Sequence, residues 1–197
     1  MYYIPTDTMK VNDSGMPDEV YWNSLFNINL IVDWLDLSSI SGPVVEIGCG
    51  YGTFTVPIAK RIKSKLISFD IEPDMIASTR ANLAKTGLVN VELICRDVIE
   101  NKTGIENEIA GMVLMFNILH SPERRILLEE ANRILKKSGI LAIIHWRKDI
   151  PTPRGPKVAL RPDQKTILTS VKELSLRQMD QVKILEPYHW GMKLIKG

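Results

Sequence analysis

Along the chain, short apolar runs alternate with amphipathic stretches. The runs Val44–Ile47, Leu66–Phe69, Val91–Cys95, Met112–Phe116 and Ile140–His145 have the length and composition of strands. Strands that alternate with helical patterns predict a parallel sheet covered on both faces. A first helix is expected over residues 18–36, where Leu25, Ile28, Val32 and Leu35 recur at helical spacing. A second should run from Thr53 to Arg61, with Pro57 tolerable only near its first turn. A third opens with Pro73 in a first-turn position and stops at Gly87. A fourth takes Ser121 as N-cap and Pro122 as first residue, turns Leu127, Ala131 and Ile134 inward, and places Lys136-Lys137 in its last turn.

The pattern changes after Trp146. Pro151, Pro153, Gly155 and Pro156 predict an ordered but irregular loop. A helix is expected over residues 163–176, carrying Ile167, Leu168, Val171 and Leu174. Val182–Leu185 and Gly191–Ile195 then read as a hairpin joined through Pro187-Tyr188-His189. Residues 1–16 have no periodicity and read as an arm or lid, which leaves one domain over 17–197.

Composition narrows this only a little. A chain of 197 residues has room for one domain with a full core, and 45% hydrophobic with 24% charged residues are ordinary globular values. No apolar run approaches the roughly 18–20 residues that cross a bilayer, so no membrane partner is expected. The N-terminus lacks the basic-then-apolar order of a signal peptide. Cys49 and Cys95 form neither a disulfide framework nor a zinc pattern, so no metal is expected and a cytoplasmic location fits. Net charge is +2, and its densest cluster, Lys60 to Lys65, reads as a solvated helix end. With neither a basic face nor an added binding domain, a small-molecule partner is expected rather than nucleic acid. Oligomeric state has no signature in the chain.

The chemistry starts at VVEIGCGYGTF, residues 44–54, where Gly48, Gly50 and Gly52 alternate just past a buried strand. Glycines there let the backbone bend sharply and let a ligand approach the main chain. Glu46 precedes the turn on an apolar strand, where a carboxylate needs partners: the turn's amides, or an ammonium group on a ligand. Asp70 ends the second strand about twenty residues further on, where a carboxylate can accept both hydroxyls of a ribose. It can also cap the helix at Pro73. Asp97 closes the third strand and either accepts from an adenine amine, with the Val98 amide meeting a ring nitrogen, or makes a loop turn. A nicotinamide dinucleotide would want GxGxxG over its pyrophosphate, and an acid just before the turn would repel that group. A positively charged nucleoside without phosphate is tolerated.

EIGCGYGTF, the acid in SFDIEPDM, RDV, FNILHSPERRILLEEANRILKKSGILAIIHW and the closing hairpin resemble the successive motifs of class I S-adenosylmethionine-dependent methyltransferases, in particular the small-molecule type 11 branch. The resemblance spans about residues 44–196. It implies a three-layer, doubly wound α/β fold with a mostly parallel seven-stranded sheet whose last strand is antiparallel. It further implies S-adenosylmethionine as cofactor, lying over Gly48, Cys49, Gly50 and Gly52, with Glu46 beneath, Asp70 and Ile71 at the ribose, Asp97 and Val98 at the adenine, and Asn117 nearby. One departure is visible: strand four often begins with an acid in this family, and Ala110-Gly111 stands there.

Ligands in doubly wound sheets sit beyond the carboxyl ends of the strands, so candidate acceptor contacts are Asn117, His120, His145, Trp146 and Arg147. His120 is the candidate general base, or else a brace for the following helix. Arg154, held between prolines, can fork onto an anionic acceptor or pin its loop to an acid such as Glu19. Tyr21 and Trp22 either roof the site or pack on the sheet.

Overall fold

The computed structural model describes residues 16–197, so the arm expected over 1–16 lies outside the described residues except for Met16. The elements are α1 (Glu19–Ser24), α2 (Ile28–Leu35), β1 (Val44–Ile47), α3 (Thr55–Ala59), β2 (Leu66–Asp70), α4 (Pro73–Ala84), β3 (Val91–Cys95), α5 (Val98–Asn101), β4 (Ala110–Phe116), α6 (Arg124–Ile134), β5 (Leu135–Trp146), α7 (Gln164–Ser170), β6 (Leu176–Gln178), β7 (Lys183–Leu185) and β8 (His189–Lys196). They build one sheet ordered β3-β2-β1-β4-β5-β8-β6, with β7 also on β8. The five strands β1 to β5 are parallel and β8 runs antiparallel to β5.

β1 and β4 are buried along their whole length, as expected for central strands covered on both faces. One face packs Val45, Val113, Leu141 and Ile143 against Leu128, Ala131 and Ile134 of α6 and Ile167 of α7. The other packs Val44, Leu114, Ala142 and Ile144 against Ile31, Val32 and Leu35 of α2 and Ile58 of α3. This is the three-layer α/β arrangement expected from the alternation.

Several boundaries differ from the expectation, each for a local reason. The first helix is two, because the Asn27 side chain accepts from the Leu30 amide at 3.1 Å and caps a new start. Pro57 sits as third residue of α3, where its missing N–H has no helical partner to lose. α6 begins at Arg124 rather than Pro122: Ser121 Oγ accepts from the Glu123 amide at 3.1 Å and holds a turn ahead of the helix. Its end is also earlier, since Leu135 turns extended to pair with Ala110, and Lys136-Lys137 belong to β5. The last helix stops at Ser170, and Leu176 instead joins β8 opposite Lys196. The eighth strand arises because the outer edge of β8 is shared by two short pieces, β6 and β7, in place of one. Gly111 has a packing reason: a Cβ there would stand 2.2 Å from the Ser41 carbonyl oxygen, so an acid at that position has no room.

Candidate active site

The carboxyl ends of β1 to β5 open into a cavity of about 490 Å³. Its floor is the bend after β1. Gly48, Gly50 and Gly52 all have positive φ (86°, 54° and 80°), a conformation costly for side chains bearing a Cβ. The amides of Gly48 and Cys49 donate to the Phe69 carbonyl at 2.8 and 3.0 Å, tying the bend to β2. Asp70 completes the tie: Oδ2 accepts from the Gly50 amide at 2.8 Å and Oδ1 from the Glu72 amide at 3.0 Å. Burial pushes the Asp70 carboxyl above its ordinary value, opposed by those amides. Gly48, Cys49, Gly50, Asp70, Ile71, Asp97 and Val98 all line the cavity.

Asp97 serves as N-cap of α5, with Oδ1 accepting from Ile99 and Glu100 at 2.8 and 3.1 Å. Gly52 does not line the cavity; a Cβ on it would meet Thr79 at 3.0 Å, so it lets α4 approach the bend. Glu46 is buried and also absent from the lining. Its carboxylate accepts from Thr55 Oγ1 at 2.6 Å and Ser68 Oγ at 2.7 Å, neither of the partners expected for it. Burial pushes Glu46 up to about 7, with the two hydroxyls opposing and Asp70 adding to the rise.

At the opposite side, Asn117 follows β4 in a left-handed conformation, φ 59°, which asparagine tolerates. Its amide donates to the Ile144 carbonyl at 2.8 Å, while both polar side-chain atoms are buried without a hydrogen-bond partner. Such a group is costly to leave unmet, and it lines the cavity. His120 also lines the cavity, and its Nδ1 lies 3.0 Å from the Asn117 carbonyl. A carbonyl only accepts, so the neutral ring carries its proton on Nδ1 and leaves the Nε2 lone pair available. Burial lowers the pKa of His120 below the ordinary value, opposed by the Asn117 bond and reinforced by Arg124. The ring is therefore neutral at neutral pH.

Other expected contacts divide. Trp22 and Arg154 line the cavity; Tyr21 does not, and is 40% exposed. His145 is fully buried with its ring 5.9 Å from that of His120, behind the lining, and burial holds its pKa well below the usual histidine value. Arg147 is committed to Asp149, at 3.0 and 2.7 Å. The loop after β5 is pinned by Arg161, and Glu19 accepts from Asn82 at 2.7 Å. Sequence reasoning missed Phe54, Glu72, Arg96 and Phe116 in the lining, and Arg161 behind it. Glu72 had a signal in its place two residues after Asp70; Phe54 and Phe116 read only as the ends of the glycine motif and of the fourth strand.

Residues 44–139 match the family described as Methyltransferase domain. Over those residues the chain carries a methyltransferase domain. Among curated proteins, it is 33% identical over 100 residues to 23S rRNA (uracil(1939)-C(5))-methyltransferase RlmD of Haemophilus influenzae (strain 86-028NP), covering 49% of this chain and 22% of that protein. It is 30% identical over 118 residues to ribosomal protein L11 methyltransferase of Vibrio campbellii (strain ATCC BAA-1116), covering 57% and 38%. The aligned part thus spans well under half of each of these relatives. Among solved structures, a SAM dependent methyltransferase from Aquifex aeolicus superposes with a TM-score of 0.77 at 22% identity, covering 91% of this chain and 94% of that one. That likeness extends the methyltransferase fold past residue 139 to the closing strands. Among the described residues no helix is long and apolar enough to cross a membrane, and no cluster of potential metal ligands occurs.

Proposed function

We propose that this methyltransferase domain moves the methyl group of S-adenosylmethionine to a small, anionic acceptor. The observation that carries the reading is the cavity's division. Asp70, Glu72 and Asp97 line one side, beside a bend of bare backbone, while the unmet Asn117 amide and the neutral His120 ring line the other. The residues fit the cofactor: glycines permit close approach, the carboxylates suit a cationic nucleoside, and no pyrophosphate cradle of GxGxxG type is present. Asp70 would hold the ribose, with Ile71 beside it, and Asp97 with the Val98 amide would meet the adenine edge. Asn117 would orient the amino-acid end or the acceptor. Glu46 supports the bend from below through Thr55 and Ser68.

When bound, the cofactor supplies an activated methyl group with a neutral thioether as leaving group and S-adenosylhomocysteine as product. The chain's own work is then positioning, with effective molarities worth about 7–11 kcal/mol in favourable cases. A proton leaving the acceptor goes to Nε2 of His120, whose Nδ1 is held by Asn117. Arg154 on the lining suits an anionic acceptor. Calorimetry tests the first half: S-adenosylhomocysteine should saturate the chain, and binding of a nicotinamide dinucleotide in its place would overturn the cofactor reading. Radiolabelled methyl transfer into fractionated extract tests the second. Label should enter the low-mass fraction, and label in RNA or protein, the acceptors of the two curated relatives, would overturn a small acceptor.

A further inference from the structure

The side of the cavity away from the carboxylates is walled by rings. Trp22, Phe54, Phe116 and Trp146 all line it. Trp22 meets Trp146 edge-on with centroids 6.3 Å apart, and Phe54 meets Phe116 edge-on at 5.0 Å. The parts of these rings that face the cavity give this end an apolar aromatic wall, here called the aromatic slot, against which another flat ring packs favourably. These side chains come from α1, the turn before α3, the end of β4 and the end of β5, and only the fold gathers them.

Beside the slot stands a short backbone wall, Arg154-Gly155-Pro156. Gly155 has φ 111°, and a Cβ there would lie 2.9 Å from the Trp146 ring, so the wall rests directly on that indole. Arg161 fixes it. Only 8% exposed, its guanidinium donates to the carbonyls of Pro156 at 2.8 Å, Arg147 at 2.6 Å and Arg154 at 3.3 Å, and sits 5.9 Å from the Trp146 centroid. A planar fork reaches three carbonyls and a ring at once, which a lysine ammonium cannot reproduce. The carboxylates lining the cavity, Asp70, Glu72 and Asp97, lie at the other end; the lining at this end contributes Arg154 and His120.

We infer that the acceptor is a small planar aromatic anion, its ring entering the aromatic slot and its negative group meeting the wall that carries Arg154, with Arg161 the positioning residue of that wall. The inference rests on the methyltransferase reading. The test uses the full chain saturated with S-adenosylhomocysteine and three probes: indole-3-carboxylate, its neutral amide, and the non-planar cyclohexanecarboxylate. Calorimetry should give the indole acid at least tenfold tighter binding than either of the others. Arg154→Gln should bring the acid down to the level of the amide. Arg161→Lys should do the same with Arg154 still present, while S-adenosylhomocysteine affinity stays within about twofold. An Arg161 that merely stabilised the fold would lower melting temperature and cofactor affinity and leave the acid-to-amide ratio intact, which overturns its positioning role. Equal binding of acid and amide, equal binding of the two acids, or no probe binding at all overturns the acceptor class. Failure to bind S-adenosylhomocysteine strikes at the methyltransferase reading instead. Arg154 lies on the exposed loop, so that variant keeps the test decisive if Arg161→Lys does not fold.

Discussion

The two sides of the cavity are built by different means. Toward β1, β2 and β3 the wall is organised by backbone: a bend with three left-handed glycines, amides spent on the Phe69 carbonyl, and the Asp70 carboxylate closing the loop to Gly50. Toward β4 and β5 it is side chains drawn from distant segments, with one amide group, on Asn117, left buried and unmet. On the first side the Asp70 and Asp97 carboxylates are held by backbone amides of the chain itself. On the second, the unmet polar atoms mark where a ligand has something to add. On the proposed reading, the first side is the cofactor seat and the second is where the acceptor approaches.

That distinction can be broken experimentally. The largest effect is expected at His120. Its replacement by alanine should slow transfer to a proton-bearing acceptor by about 10²–10⁴-fold and leave S-adenosylhomocysteine affinity unchanged. A parallel loss of cofactor binding would merge the two sides. Because burial lowers the pKa of this ring, activity should rise with pH through a midpoint below the ordinary histidine value of 6.5. A pH–rate profile with its acid limb above that value would remove His120 as the base.

Asp70→Ala addresses the other side. Losing a charge-assisted partner should weaken S-adenosylhomocysteine binding by about 1.5–3 kcal/mol, roughly 10- to 150-fold. Unchanged calorimetric affinity would place the ribose elsewhere.

A smaller effect sharpens the comparison through stability. Glu46 beneath the bend and His189 behind the slot are both buried, but they titrate with opposite consequences. The folded chain holds Glu46 at about 7, above its unfolded value of 4.5, so it favours the protonated acid. Glu46 therefore costs stability progressively as pH rises from 4.5 toward 7. His189 packs against Phe26 and Trp146 at 4.4 and 4.2 Å and is held at about 3, below its unfolded 6.5, chiefly by burial. Its contribution is full above 6.5 and is lost as pH falls toward 3. Each should change stability by about 1.4 kcal/mol per pH unit inside its window. Urea titrations of Glu46→Gln and His189→Phe should flatten the neutral and the acid slope respectively. Identical pH dependence in wild type and both variants would reject this account.

The cofactor side was the more legible in sequence because its determinants are local. A bend of alternating glycines and a carboxylate ending the next strand follow from backbone conformational limits that a linear pattern records. Glu46 shows where such reading stops: its position on β1 was evident, yet its partners Thr55 and Ser68 come from α3 and β2 and were not. Helix boundaries failed for the same kind of reason. Leu176 has helical neighbours in sequence, but the free edge of β8 offers it a strand partner.

By itself, then, the chain determined the parallel α/β sheet, the segments that form its central strands and the place of the glycine bend, since periodicity and φ preference act within a few residues. Only the tertiary structure decided that His145 and Arg147 fall outside the cavity, that four aromatic rings line it, and that Arg161 holds the wall. The rings come together across more than a hundred residues of chain, and the partners of Arg147 and Arg161, though nearer in sequence, depend on how the loop after β5 folds back on the sheet, which no local pattern encodes.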